Sequence, residues 1–371
     1  MISNQLLTSS SIRKCAPLRD FVLPTRNSDP RRAPDSQFTY IDVSAITSET
    51  LSIETPSVLC GADAPSRARK QVRTGDVLFA TIRPSLRRVA LVPEQLDGAI
   101  CSTAFTVLRA NPEFLDPQYL YYNVLSEDFV DRVSELQRGS SYPAVSDGDV
   151  LNQLVSLPPL VEQCRIARIL STIKQARRCC TRSVGRVEEL RRSITARLFT
   201  PNNEWLTVRL GDQITLQRGH DLPSQDREPG SVPVVSSSGI TGWHSSSKAQ
   251  GPGVVIGRYG TLGVVQFLEV PYWPLNTTLY VRDFHGNEPR FVRYFLETVS
   301  YDVHNDKTSV PGVNRNDLHA LQIMWPPLAD QQRIAATLDV VERRLANEEA
   351  VGAALDGVFS SALSHLMTGA S

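Results

Sequence analysis

The chain has 371 residues, enough for two or three domains, and its hydrophobic content of 41% can form a sizeable core. Its 39 basic and 39 acidic side chains give a net charge of zero, which on its face argues against a nucleic-acid partner. Its apolar runs are shorter than the roughly 20 residues that span a bilayer, and its N-terminus does not resemble a signal peptide, so we expect a cytoplasmic protein without a membrane partner.

The first 157 residues contain a strand followed by a loop of a kind that meets ligands. Residues 77–82 have the composition of a buried strand, and Arg83-Pro84-Ser85 follows at its end. Seven basic side chains lie within residues 67–88, and Asp76 alone opposes them. Such a stretch is either a solvated face or a surface that follows phosphates, because phosphate binding requires local positive charge.

Two further segments of this region have recognisable patterns. Residues 38–43 are β-branched and aromatic, which predicts a strand. Residues 113–149 contain eight acidic side chains and only two arginines, and residues 117–136 within them predict one amphipathic helix. A domain with one basic and one acidic region has a preferred orientation towards a polyanion.

Two long helices are predicted from a motif that occurs twice. Residues 158–170 and 326–338 both carry Pro-Pro-Leu, then Gln, Arg-Ile-Ala and Leu, with an offset of 168 residues. Apolar residues then recur every three or four positions, as in a coiled-coil seam. We therefore predict helices over 162–198 and 330–366, each started by its proline pair.

The two predicted helices carry opposite charge. Residues 162–198 hold ten basic side chains and three glutamates, whereas residues 330–366 hold six acidic side chains and three arginines. Complementary flanking charges determine how helices choose partner and orientation, so we expect the two to pair, in antiparallel fashion. The residues expected in this pairing are Ile166, Ile169, Ile173, Leu190, Ile194, Ile334, Leu338, Val341, Leu345 and Leu355.

The globular stretch between the helices repeats the first one loosely. Residues 254–259 match residues 77–82 in pattern, and Pro311-x-Val313 matches Pro143-x-Val145. We therefore predict an α+β fold with two similar domains, a pair of long antiparallel coiled-coil helices and an internal pseudo-twofold repeat. The predicted boundaries are 1–157 and 205–325 for the domains, and 158–204 and 326–371 for the helices.

The sequence offers little that could catalyse a reaction. Residues 257–263 are rich in glycine but lack the lysine of a phosphate-binding loop, so they predict a tight turn that presents Arg258 and Tyr259. The six cysteines form no Cys-x-x-Cys pair, and the six histidines show no metal-binding spacing. We expect no metal, no cofactor and no catalytic residue.

The doubled motif resembles the specificity subunit of type I restriction–modification systems. The helix ends at Leu198-Phe199-Thr200 and Leu366-Met367-Thr368 share this resemblance, as do residues 208–212, 237–242, 257–260 and 273–278. The resemblance implies a non-catalytic subunit whose two target-recognition domains each read one half of a split sequence in double-stranded DNA. It also implies that the paired helices fix the unread gap, that two methyltransferase subunits dock and modify adenine, and that a restriction subunit joins them in defence against phage.

The residues expected to contact DNA are loop residues whose side chains hydrogen-bond to base edges, with aromatic neighbours. In the first domain they are Arg83, Ser85, Arg87, Ser102 and Thr103. In the second domain they are Ser236, Ser237, Ser238, His244, Arg258, Tyr259, Asn276 and Thr277. Two alternatives to a DNA-reading subunit stay open: a non-catalytic coiled-coil scaffold that serves another complex, and an enzyme in its own right, such as a nuclease.

Overall fold

The computed structural model describes residues 14–47, 50–139, 141–301 and 312–368. The chain divides into two compact units, one made of residues 1–182 with 350–371 and the other of residues 183–349. Each unit contains one globular α+β part together with a portion of each of two long helices. The domain boundaries predicted above follow the sequence repeat instead and stay a prediction.

The described part of the first unit has ten strands, then three short helices, one more strand and the start of the first long helix, and the unit also contains the end of the second long helix. The strands before the helices are β1 (Lys14–Pro17), β2 (Val22–Leu23), β3 (Arg26–Asn27), β4 (Gln37–Ile41), β5 (Ser57–Cys60), β6 (Ala68–Gln71), β7 (Val77–Ala80), β8 (Val89–Leu91), β9 (Ile100–Ser102) and β10 (Phe105–Ala110). The later elements are α1 (Pro117–Leu125), α2 (Glu127–Ser134), α3 (Asp147–Leu151), β11 (Leu154–Leu157) and α4 (Leu160–Leu198), which continues into the second unit.

The second unit has the same plan, with fewer strands in its described part. Its elements are β12 (Leu206–Arg209), α5 (Leu210–Gln213), β13 (Thr215–Arg218), β14 (Val232–Ser236), β15 (Gly239–His244), β16 (Gly253–Gly257), β17 (Val265–Leu268), β18 (Trp273–Pro274), β19 (Thr278–Asp283), α6 (Pro289–Thr298), α7 (Arg315–Ala320), β20 (Gln322–Trp325) and α8 (Leu328–Thr368), whose last turns belong to the first unit.

The sheets of the two units have matching strand orders, which shows the internal repeat in three dimensions. The order β2-β10-β7-β8 in the first unit corresponds to β13-β19-β16-β17 in the second, and the pair β1-β11 corresponds to β12-β20. In both units a third sheet has a central strand with one antiparallel and one parallel neighbour, β5-β4-β9 and β15-β14-β18. Strands β6 and β3 extend that sheet in the first unit.

A buried glutamine explains why the Pro-Pro-Leu-x-x-Gln motif occurs twice. The side-chain nitrogen of Gln163 donates to the carbonyls of Phe114 and Pro158 at 2.9 and 2.8 Å, and its oxygen accepts from the amide of Asp116 at 3.0 Å. The three backbone groups lie just before α1 and α4, so the hydrogen bonds within those helices do not pair them, and the Gln163 side chain does so instead. The motif therefore fastens each long helix to its domain.

Gln331 makes the equivalent bonds in the second unit. Its nitrogen donates to Pro326 O at 3.0 Å and to Asn287 Oδ1 at 2.7 Å, and its oxygen accepts from the amide of Glu288 at 2.9 Å. Only 2% of Gln331 is exposed, compared with 1% of Gln163. Burial of an amide side chain is tolerated here because its donors and its acceptor are all paired.

In the first unit, the early turns of α4 pack against the last turns of α8. Ile166 and Leu170 share a core with Phe359 and Leu363. Further along α4, Arg177 forms an ion pair with Asp356. Since positions later in α4 meet positions earlier in α8, the two helices are antiparallel in this unit.

The second unit shows the same pairing between the other parts of these helices. Ile194 and Leu198 pack against the core that contains Ile334 and Leu338. Arg191 bridges Glu342 of α8 and Glu297 of α6, both at 2.6 Å. The basic α4 therefore pairs with the acidic α8, and the predicted α+β fold with two antiparallel long helices is confirmed.

The remaining residues expected in the helix pairing differ in exposure. Val341 is buried, Ile173 packs at the edge of the first core, and Leu345 and Leu355 are half-buried. Ile169 and Leu190 expose 37% and 53% of their surface. In the last turns of α8 the buried seam is formed by Phe359, Leu363 and Met367, which the apolar pattern alone did not single out.

Two local predictions are corrected by the structure. Residues 117–136 form two helices, α1 and α2, because Ser126 ends one and caps the other by accepting from the amide of Phe129. The strand predicted over 38–43 is β4, which ends at Ile41 because a short 3-10 turn follows. Pro311 of the predicted Pro-x-Val repeat lies outside the described residues.

One helix of the described chain, α8, is long and apolar enough to cross a membrane by length and composition alone. An 18-residue window within it reaches a mean hydropathy of 1.2. The sequence-based expectation of no such segment therefore does not hold by this measure. Helices that pack into protein cores meet the same criterion, and α8 contributes Leu338 to the core of the second unit and Leu363 to that of the first.

Candidate nucleic-acid interface

A loop at the end of β7 brings a strained arginine to the surface of the first unit. The amide of Val145 donates to Thr81 O at 3.0 Å, and the amide of Arg83 donates to Pro143 O at 2.8 Å. Arg83 is exposed and has φ +48°, in the left-handed region that side chains with a Cβ rarely adopt. Such strain persists only where surrounding contacts hold it, and it concentrates at functional sites.

The end of β16 has the same backbone frame in the second unit. The amide of Val313 donates to Arg258 O at 2.9 Å, as that of Val145 does to Thr81 O. The amide of Arg258 donates to Thr277 O at 2.9 Å, as that of Thr81 does to Ala104 O at 2.8 Å. Bridges join Tyr259 to Gly312 here and Ile82 to Ala144 in the first unit. A Cβ on Gly312 would lie 2.5 Å from the ring of Tyr259, so only glycine fits opposite this tyrosine.

The two frames align residue by residue, and this alignment shows what differs between the sites. The bridges make Tyr259 equivalent to Ile82, so Arg83 corresponds to Gly260, which has φ +81°. The second unit places glycine in the left-handed position, as the backbone prefers. The first unit places an arginine there despite the conformational cost, which indicates a role for its side chain.

Each site nevertheless presents an arginine beside a tyrosine. The guanidinium carbon of Arg83 lies 5.8 Å from the ring centre of Tyr142, and that of Arg258 lies 4.5 Å from the ring centre of Tyr259. Tyr142 is 76% exposed and Tyr259 is 40% exposed. Arginine can donate two hydrogen bonds to one base edge, and an exposed ring offers a face for stacking. Tyr142 was missed from the sequence, where its only signal is an aromatic residue in a polar loop.

Other predicted residues of the first unit lie beside Arg83. Ser85 is exposed within the 3-10 turn Pro84–Leu86, and Arg87 closes that turn with φ +51°. Arg87 forms an ion pair with Glu127 at 3.2 Å, so part of its charge is already balanced. Thr103 is exposed between β9 and β10.

In the second unit, the predicted serines form the turn between β14 and β15. Ser236 Oγ lies 3.0 Å from Ser238 Oγ, and the amide of Ser238 donates to Ser236 at 3.2 Å. Ser237 is half-buried, and Gly257 approaches its Cβ closely. The turn thus lies next to the end of β16 that carries Arg258.

Asn276 and Thr277 lie on the same side of this site. The side chain of Asn276 donates to Asp221, and the carbonyl of Thr277 accepts from the amides of Arg258 and Tyr259. The Thr277 hydroxyl is buried and has no hydrogen-bond partner within the described part of the chain. The amide donors of Arg258 and Tyr259 thus anchor the site to the backbone of residue 277.

Two predicted contact residues are interior. Ser102 is fully buried, and its hydroxyl accepts from the amide of Ala104 at 3.3 Å. His244 is 6% exposed, its Nδ1 accepts from the amide of Glu228 at 3.0 Å, and its ring packs against Trp273. Both residues are buried, and the Ser102 hydroxyl and His244 Nδ1 hold backbone amides of the frame.

An ion pair at the start of β7, the end of the strand away from Arg83, joins β7 to β10. Asp76 is 1% exposed and accepts from Arg109 through both carboxylate oxygens, at 2.8 and 2.6 Å. The hydrogen bond to Asp76 raises the pKa of Arg109. Among the described residues, no group of three or more histidine, cysteine or carboxylate side chains is arranged to hold a metal ion.

Comparison with known proteins identifies the family. The family model of the type I restriction modification DNA specificity domain matches residues 65–178 and again residues 202–355. The HindI specificity subunit of Haemophilus influenzae is 26% identical over 113 residues, 30% of this chain and 25% of that protein. The EcoDI specificity subunit of Escherichia coli is 26% identical over 141 residues, 37% of this chain and 30% of that protein. The matched part thus spans about a quarter to a third of these relatives.

Solved structures extend the similarity over almost the whole chain. A chain from a structure of a type I restriction–modification system is 30% identical, with a TM-score of 0.64 over 96% of this chain and 97% of that one. The HsdS subunit from Thermoanaerobacter tengcongensis is 31% identical, with a TM-score of 0.50 and the same coverage. The S subunit from M. genitalium shares the fold, with a TM-score of 0.68 over 98% of both chains at 14% identity. The chain belongs to the family of type I restriction–modification specificity subunits.

Proposed function

We propose that this chain reads a bipartite DNA sequence, one half-site with each unit, and directs adenine methyltransferase subunits to it. The observation that carries the proposal is the pair of equivalent strand ends, which present Arg83 in the first unit and Arg258, at the position equivalent to Thr81, in the second. Their backbone frames match while their side chains differ, which suits two modules that read different bases. Two modules on one chain read a split site when their spacing is fixed.

The proposed contact surface contains the exposed and half-exposed residues of both sites. In the first unit these are Arg83, Ser85, Arg87, Thr103 and Tyr142. In the second they are Ser236, Ser237, Ser238, Arg258, Tyr259, Asn276 and Thr277. Ser102 and His244 are left out because both residues are buried, and the buried hydroxyl of Thr277 is not among the groups proposed to contact DNA.

The proposed partners follow from the family. Two methyltransferase subunits would bind this chain and carry out the chemistry, a restriction subunit would join them in the cell, and the complex would act in the cytoplasm, where the genome is. The chain itself would act without catalysis and without a cofactor.

The test uses complexes of this chain with its methyltransferase and a library of DNA duplexes. We expect Arg83→Gly to weaken selection in the first half-site only, and Arg258→Gln to weaken it in the second half-site only. Glycine suits the backbone at position 83, so that variant should stay folded. Loss of one bidentate contact costs about 1–3 kcal/mol of discrimination, or roughly 5- to 150-fold.

Arg282→Gln is the matched control. Thr278, at the start of β19, pairs with the end of β16 near Arg258, whereas Arg282 is exposed near the other end of β19. It should leave both half-sites unchanged. If methylation followed no split motif, or if each variant altered both halves equally, the reading of separate half-sites would be refuted and a scaffold of the same fold would explain the chain better.

A further inference from the structure

A basic cleft beside α4 in the first unit lies apart from the strand-end sites. It has a volume of about 690 Å³ and is lined by Lys174, Arg177, Arg178 and Arg182 on successive turns of the helix. Asp356 is its one acidic lining residue, and this carboxylate is already paired with Arg177. The cleft therefore holds an excess of positive charge.

The charges of this cleft are not balanced within the described part of the unit. Arg178 has no carboxylate partner there, and Arg182 donates only to Arg178 O at 3.3 Å and to Cys179 Sγ at 3.4 Å. Lys174, Arg178 and Arg182 are spaced four residues apart, a spacing at which like charges on a helix repel. A helix that keeps such a row without acids gains stability when an anion binds it.

Lys174 is the innermost member of the row. Its amine donates to Leu51 O at 2.8 Å and to the hydroxyl of Tyr121 at 2.6 Å. Leu51 has φ +51°, so the carbonyl that accepts from Lys174 belongs to a strained residue. Burial, together with the charges of Arg178 and Arg177, lowers the pKa of this amine to about 7. Lys174 therefore carries less than a full positive charge near neutral pH, and Arg178 and Arg182 supply the unpaired charge of the row.

A second cleft connects this row to the proposed reading loop. Ser85 and Arg87 line it from one side, and Arg177 lines it from α4. Glu127 lines this second cleft as well and pairs with Arg87, and Arg177 pairs with Asp356, so the free positive charge lies at Arg178 and Arg182 of the basic cleft. Thr50 and Thr181 also line the basic cleft, but their hydroxyls are hydrogen-bonded to Thr47 Oγ1 and to Arg177 O.

We infer that the basic cleft binds phosphates of the DNA backbone beside the half-site that the first unit reads, with no contact to bases. This inference rests on the proposed function. Phosphate is favoured over an acidic protein surface because the basic cleft adjoins the reading loop: Arg177 lines both this cleft and the one that holds Ser85 and Arg87. Contacts of this kind add affinity and register without adding sequence preference.

The experiment measures how the affinity of the methyltransferase complex for cognate and for unrelated duplexes depends on salt. Each phosphate neutralised adds about 0.9 to the slope of log affinity against log salt concentration. We expect Arg178→Gln with Arg182→Gln to reduce that slope by nearly two for both duplexes. The methylated motif and the ratio of the two affinities should stay as they are.

Two control variants interpret the result. Arg19→Gln with Arg32→Gln removes the same charge from exposed positions of this unit that do not line the cleft, and it should leave the slope unchanged. Arg178→Lys with Arg182→Lys keeps the charge and should restore the slope, which a merely folding-related defect would not allow.

The outcomes separate this inference from the proposed function. A split motif in the wild type together with an unchanged slope in the glutamine variant would overturn the phosphate site and leave the proposed function standing. Loss of methyltransferase binding with an unchanged slope per assembled complex would assign the cleft to a protein partner and would also overturn it. Absence of a split motif in the wild type would instead remove the proposed function.

Discussion

The buried glutamine of the second motif copy gives the sharpest test of how each long helix is fastened. Gln331→Leu keeps the side-chain volume but leaves the amide of Glu288 and the carbonyl of Pro326 without their partner. An unpaired buried polar group costs about 1–3 kcal/mol, so the two together should lower the free energy of unfolding by about 2–5 kcal/mol. Asn287 Oδ1 keeps its bond from Trp325 Nε1 and adds little to this cost.

The neighbouring Gln332 provides a control on the same helix. It is exposed, so Gln332→Leu should change the free energy of unfolding by no more than about 0.5 kcal/mol. All four tryptophans of the chain lie between residues 205 and 325, so tryptophan fluorescence reports the unfolding of the second unit. With a slope of about 2 kcal/mol per molar urea, Gln331→Leu should lower the midpoint by about 1–2.5 M.

The equivalent Gln163→Leu should leave the tryptophan-monitored midpoint nearly unchanged, because Gln163 belongs to the first unit. Equal midpoints for Gln331→Leu and Gln332→Leu would refute the reasoning. They would mean that the three bonds of Gln331 contribute no more than the solvent contacts of its neighbour.

Three other predictions concern the first unit and the long helices. Asp76→Ala leaves Arg109 without its carboxylate, so it should destabilise the unit by about 3–5 kcal/mol in circular dichroism melts, and a change under 1 kcal/mol would contradict this. The lowered pKa of Lys174 means that the folded state binds fewer protons than the unfolded chain above pH 7. Between pH 7 and 10, the free energy of unfolding should therefore rise by up to about 1.4 kcal/mol per pH unit relative to that of Lys174→Met. Parallel plots of the unfolding free energy against pH for the two proteins would refute this. Seven-residue insertions after Arg182 and after Glu349 add about 10 Å to each helix and should lengthen the unread gap by about 3 base pairs. An altered half-site would contradict the hypothesis that the helices fix only the length of the gap.

Much of the fold can be predicted because its signals are local and occur twice. The Pro-Pro-Leu motif marks the helix starts within two residues, since a proline pair and a buried glutamine are both tied to that position. The strand at residue 77 is a continuous apolar run bounded by a turn and a proline, which suits a strand buried on both faces. Opposite net charges on the helices were enough to predict their pairing.

The features that could not be predicted from the sequence depend on contacts between segments that are far apart along the chain. Tyr142 reaches Arg83 only because residues 143–145 pair with the end of β7, whereas in the second unit the tyrosine directly follows its arginine. The seam of α8 near Phe359 was ambiguous, because alanine and glycine residues around it give little periodicity. Beside the basic cleft, the carbonyl of Leu51, a residue with φ +51°, accepts from Lys174 of α4, and composition alone does not reveal that contact.

The most direct test of the account is a map of adenine methylation across the source genome, with and without the gene for this chain. The account predicts that deletion abolishes methylation at one split motif and that Arg258→Gln, placed back in the genome, relaxes only one half of it. A methylation map unchanged by deletion in cells that express the methyltransferase would contradict the claim that this chain selects the site.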